Sequence, residues 1–154
     1  MINSDAIFSE DKVHRYVLTR EWDLDKPSIM IIALNPSIAD EKIDDPTIRI
    51  CIGFARQWGF GKLFVANLFS FRATFPKDLF NSHNPVGNKN DYWLKKLAKD
   101  VDKVVLAYGN RGKFKNRHNE ILKIIDNPYC IKKLKTGMPS HPLYLKYTKK
   151  PVKY

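Results

Sequence analysis

Two asparagines and a histidine stand where they could act on a ligand. Asn35 follows the apolar run SIMIIAL (28–34), Asn67 comes near the end of the run KLFVANLF (62–69), and His141 lies between Ser140 and Pro142 in GMPSHPLYL (137–145). A carboxamide offers a donor and an acceptor. It can orient water or read a ring edge, but it cannot take a proton as a carboxylate does. Asn35 fits the first task and Asn67 the second, since a nucleobase presents just such a hydrogen-bonding edge. A histidine on a small-residue loop can stabilise negative charge on a leaving group. The same residues also fit plainer roles, as a turn former before Pro36, a loop-satisfying amide and a packed imidazole.

Asp40, Asp44 and Asp45 crowd the stretch LNPSIADEKIDDPT (34–47), in a chain of net charge +11. Carboxylates at this density can activate water or hold a divalent cation. They also suit the positive end of a following helix, and Asp45 is well placed for its first turn.

The positive charge is uneven. Residues 1–77 hold ten Lys/Arg and ten Asp/Glu, whereas residues 78–154 hold seventeen and six, so the second half carries the whole excess. A basic face of this kind suits a polyanion. GNRGKFKNRH (109–118) lacks the spacing of a phosphate-binding P-loop. Its Arg111, Lys113, Lys115 and Arg117 read instead as a loop tracking phosphates, with Arg72 as a further contact. Leu143 and Tyr144, beside Lys146, have the character of a wedge entering a base stack.

Apolar runs at strand length (28–34, 62–69, 103–109) alternate with helical periodicity at 47–58, 91–99 and from about Lys115. Residues 13–19 and 129–136 read as further strands, the latter a fourth and more exposed one of the central sheet, with Thr47 a cap for the first helix. Residues 71–90 read as a long irregular connection, of the length that often serves function. The expectation is an α/β fold: one three-layer α/β/α domain over 1–154, with a central, mostly parallel four-stranded sheet and 146–154 as a basic tail. In such sheets ligands sit beyond the carboxyl ends of the strands, where Asn35, Asn67, the 108–110 turn and the His141 loop converge.

Composition excludes several classes. At 44% hydrophobic residues the chain has material for a core, and no apolar run approaches the ~20 residues of a membrane span. Two cysteines without a spacing motif cannot supply a four-cysteine metal site. With no leader visible, a reduced cytoplasmic setting is expected.

The motifs LNPS.AD...DDPT, NLF..RAT and G.P.HPLYL, in this order, resemble those of a bacterial and phage family catalogued as a domain of unknown function. The match covers roughly residues 13–147. That family more distantly resembles the uracil-DNA glycosylase superfamily, whose first motif matches Asn35-Pro36, whose base-reading asparagine matches Asn67 and whose His-Pro loop matches Ser140-His141-Pro142-Leu143. The resemblance implies a glycosylase-like fold, water positioned by the residue before Pro36, and base departure assisted by His141. The superfamily's cluster cysteines are missing, so no iron–sulfur centre is implied. Asn35 replaces the strong carboxylate of the first motif, leaving Asp40 or Asp45 to supply an acid. Ser37 stands where a bulky tyrosine is usual, which leaves Pro36 and Ser37 lining room for a substituted base.

The function expected is a metal-independent DNA glycosylase that excises a modified base, such as a hydroxymethylated or glycosylated pyrimidine of phage DNA, with an antiviral role. It requires no cofactor, no metal and no obligate protein partner. Two alternatives are a Mg²⁺-dependent nuclease or phosphohydrolase using Asp40, Asp44 and Asp45, and a noncatalytic DNA-binding sensor.

Overall fold

The three apolar runs become the middle of one sheet in the computed structural model, which describes residues 1–154. The strands are β1 (Asn3–Phe8), β2 (Arg15–Glu21), β3 (Ser28–Ala33), β4 (Lys62–Asn67), β5 (Lys103–Leu106), β6 (Tyr129–Cys130) and β7 (Val152–Lys153). They pair in the order β1-β2-β4-β3-β5-β6-β7. Strands β4, β3, β5 and β6 run parallel, while β1, β2 and β7 join antiparallel. The sheet is therefore mixed and seven-stranded, wider than the four strands expected from the sequence. Residues 129–136 do not form a long strand: pairing stops at Cys130, and a bridge from Lys133 to Pro139 turns the chain through Gly137 at φ +90°. The expected basic tail contains β7, and the Tyr154 backbone N–H reaches the Pro128 carbonyl.

Helix α1 (Pro46–Gln57) starts where proline pre-sets the first turn. Its cap is Asp45, not Thr47: the Asp45 carboxylate accepts from the Ile48 N–H at 2.9 Å. It ends in a Schellman turn, in which Gly59 at φ +87° and Phe60 close back onto the Arg56 and Ala55 carbonyls. The 71–90 connection contains the short helix α2 (Pro76–Phe80), followed by α3 (Asn90–Asp100). A 3₁₀ segment over Asn110–Asn116 leads into α4 (Arg117–Ile124).

Two apolar layers sandwich the sheet. Ile48, Cys51, Phe54 and Ala55 of α1 pack on Ile29, Ile31, Leu63 and Val65. Leu94 and Leu97 of α3 and Ile121 of α4 pack with Met30, Ile32, Val104 and Leu106 on the other face. Chain leaving β3 thus goes to one face, while chain leaving β4 and β5 goes to the other. Adjacent strand ends diverge around β3, and a crevice opens beyond their carboxyl ends.

Candidate functional site

The crevice holds a cavity of about 770 Å³, a size typical of ligand sites. Asn35, Asn67, Asp45 and His141 all line it, joined by Pro36, Ser37, Arg111, Leu143 and Tyr144.

Asn67, the last residue of β4, is 1% exposed, and neither its Nδ2 nor its Oδ1 has a hydrogen-bond partner. Buried amides are almost always satisfied, and an orphan pair at a cavity wall is an anomaly of about 1–3 kcal/mol per group. The backbone beneath it is held tightly. Asn90 donates its amide to the carbonyls of Asn67 (2.9 Å) and Leu68 (3.1 Å), and Arg117 Nε donates to Leu68 at 3.0 Å. The side chain is thus left open on a strand end that cannot relax to meet it.

Asn35 is arranged differently. Its Nδ2 donates to the carbonyls of Pro36 (3.0 Å) and Ala73 (2.8 Å), and the Ala73 N–H returns to the Pro36 carbonyl at 2.9 Å. This pins the Asn-Pro turn to the 71–74 segment. The amide orientation leaves Oδ1 as an acceptor for water. Ser37 Oγ meets Thr74 Oγ1 at 3.2 Å on the same seam.

His141 is set by its own loop. Its Nδ1 accepts the Leu143 N–H at 3.1 Å, which places the proton of the neutral ring on Nε2 and makes that nitrogen a donor. Burial holds its pKa below the ordinary histidine value, favouring this neutral form. The loop hangs from the sheet through Gly109 N–H to Pro139 O (2.8 Å) and Ser140 N–H to Lys132 O (2.8 Å). Gly109 sits at φ +73°, where an L side chain is strained, and a Cβ there would lie in ordinary contact with His141.

The acids are dispersed. Asp45, nearly buried, caps α1. Asp44 pairs with Arg20 at 2.9 Å. Asp40 does not line the cavity; its carboxylate accepts the N–H groups of Lys42 (2.8 Å) and Ile43 (2.7 Å), which hold its pKa below the usual range. No three His, Cys, Asp or Glu side chains group to hold a metal ion.

Among the basic residues, Arg111 is exposed at the cavity mouth, and Lys113, Lys115 and Lys146 are exposed to solvent. Arg117 is corrected: it is 1% exposed, paired with Asp91 and Glu120 at 2.9 Å each, and closed to any phosphate. Its i, i+4 spacing to the core residue Ile121 marked it as inward-facing. Arg72 stacks on Phe8 at 4.9 Å and donates to Ser37 and Lys12 carbonyls, so it braces the Ser37 loop. Tyr144 is 95% exposed at φ +67°, with Leu143 beside it.

Residues 15–143 match the family described as "Protein of unknown function (DUF1643)". The chain belongs to this family. No curated protein and no solved structure gives a match. The family span encloses every residue lining the cavity except Tyr144. Tyr108, of the expected 108–110 turn, walls the cavity, and the span also encloses two residues that sequence reasoning passed over: Asn90, which fixes the strand end, and Arg15, buried in the cavity. Arg15 stood in plain view as a charge at the start of an apolar strand. Nothing in the sequence distinguishes Asn90 from its polar neighbours.

Proposed function

We propose that this chain is a DNA glycosylase of the uracil-DNA glycosylase type that excises a modified base without a metal. The observation that carries the reading is the orphaned Asn67 amide. A buried donor–acceptor pair, fixed in place and facing a cavity, is matched by a ring edge bearing the complementary acceptor and donor. The other groups then take consistent places around a flipped nucleotide. His141 donates from Nε2 to an oxygen of the departing base as charge builds on it. Asn35 Oδ1 accepts from a water and aims it at the sugar carbon as the glycosidic bond breaks. One bond to the base is lost, one to water oxygen is formed, and the water proton leaves with the base or solvent. Asp45 adds negative charge near the developing sugar cation.

Arg111 sets positive charge at the mouth, and the exposed Lys113 and Lys115 follow it in the chain, a run suited to phosphates. Tyr144, held outward, is suited to fill the gap in the stack, since extruding a base costs a few kcal/mol. The small Ser37 and the volume of the cavity favour a base with a substituent, such as a hydroxymethylated or glycosylated pyrimidine. Removal of such bases would act against phage DNA that carries them. The nuclease alternative is disfavoured because Asp40, Asp44 and Asp45 are engaged with three different partners rather than converging.

The test is an abasic-site assay in EDTA. Duplex and single strands carry uracil, hydroxymethylcytosine, glucosylated hydroxymethylcytosine or ordinary bases, and alkali reveals excision. Alkali-labile sites on one modified substrate are expected. Intact strands in EDTA together with backbone cuts in Mg²⁺ would overturn the reading.

A further inference from the structure

Arg15 is a cavity residue that the proposed chemistry does not use. It is 2% exposed, yet the only hydrogen bond of its guanidinium runs from Nη1 to the Ala39 carbonyl at 3.0 Å. Its Nε is buried with no partner. The fold's ion pairs use Arg20, Lys26, Lys62 and Arg117, and none uses Arg15. The charges that face it are Asp45, which attracts, and Arg72 and Arg20, which repel. Arg20 is already paired with Asp44, and Arg72 binds only carbonyls. Burial accordingly pulls the Arg15 pKa down to about 10, where it remains a cation at neutral pH.

A break in strand alternation brings this charge to the cavity. Pairing with β1 skips from Val17 to Arg15, and Tyr16 and Val17 both pack on the α3/α4 face. Arg15 instead reaches the loop after β3 and lines the same cavity as Asn67. A charge held away from water is ordinarily paired, and the free Nε edge of a guanidinium matches the two oxygens of a carboxylate.

We propose that Arg15 receives an acidic oxygen, of carboxylate character, carried on the same ring that Asn67 reads. This rests on the reading of the cavity as a base site. A backbone phosphate is the poorer occupant, because Arg15 and Asn67 are the most enclosed polar groups of the cavity while the exposed Arg111 stands at its mouth. The ligand class is thus a pyrimidine bearing an acid group rather than a plain one.

The experiment is an NMR titration of the full chain, following the Asn67 side-chain amide and the Arg15 Nε–H. The probes are uracil, 5-hydroxymethyluracil, 5-carboxyuracil, its 6-carboxy isomer and inorganic phosphate. A carboxylated ring is expected to bind at least tenfold tighter than uracil and to move both signals. In Arg15→Gln that advantage falls to about one, with uracil affinity within twofold. Arg15→Lys, which keeps the charge and loses the fork, retains part of it and serves should the Gln variant not fold. An advantage that survives in both variants, equal binding of neutral and acidic rings, or phosphate moving Nε–H as strongly as the carboxylated ring would overturn the proposal while leaving Asn67 as a base reader. If no ring moves the Asn67 amide, the base-site reading fails along with it.

Discussion

Two buried polar clusters of this protein contrast. Every side-chain nitrogen of Arg117 and His118 is satisfied. Arg117 has two carboxylates and a carbonyl; His118 meets Tyr108 through Nδ1 and Tyr154 through Nε2, and the Tyr154 hydroxyl donates to the Gly137 carbonyl. Around Asn67 and Arg15, both amide atoms of Asn67, the Oδ1 of Asn90 and a guanidinium nitrogen have nothing. Similar residue types, similarly buried, are complete in one place and incomplete in the other. The first cluster is closed on itself; the second leaves polar atoms unpaired among residues that line the cavity.

The contrast is broken most sharply by removing counter-charges. Replacing both Asp91 and Glu120 by Ala strands a buried cation and is expected to lower stability by about 3 kcal/mol in urea unfolding. Arg15→Met removes a cation that makes no direct ion pair, and its cost is expected to stay within about 1 kcal/mol. Comparable losses in the two variants would erase the distinction. In the site, His141→Ala and Asn67→Ala are each expected to reduce excision about 10²-fold or more. For Asn67→Ala the unfolding midpoint should hold or rise, because no folded-state hydrogen bond is lost. A clear loss of stability would make the amide structural.

A pH titration gives a smaller effect. Burial, with Lys113 and Lys133 nearby, lowers the His118 pKa from 6.5. The unfolded chain therefore takes up this proton first, so stability is complete above about pH 6.5 and falls as the pH drops toward the folded value. His118→Gln is expected to flatten that slope in thermal melts between pH 7 and 5. The smallest change belongs to the surface. Lys113→Ala or Lys115→Ala should weaken DNA binding uniformly across sequences and reduce the salt slope by about one each. An unchanged slope would move the phosphate track elsewhere.

The interior strands were legible because β3, β4 and β5 are covered on both faces and read as unbroken apolar runs. The edges were not. β1 is NSDAIF, with its first three residues exposed, and β7 pairs through only two residues, so neither carries a periodic signal. The helix over 47–58 was placed to within a residue, yet its cap was misassigned, since Asp45 and Thr47 flank Pro46 and only geometry chooses between them. Asn35, Asn67 and His141 were visible as polar residues at strand ends and in a loop, and they do line one cavity. Whether an amide is satisfied depends on residues distant in sequence: Asn35 is tied to Ala73, while Asn67 finds no partner. No local pattern encodes that difference. Arg117 was misread because a run of basic residues looks like one surface, although the run turns inward where α4 begins.

The parallel centre of the sheet also has a kinetic consequence. Register pairs such as Ile31 with Val105, and the hydrogen bond from Gly109 to Pro139, join segments far apart in the chain. Such contacts must close long loops before they repay the lost entropy, so this fold belongs among slow folders, in the range of milliseconds to seconds. The cavity needs β3, β4, β5 and the His141 loop at once. Its closure is therefore expected to come late, with Asn67 and Arg15 hydrated until then.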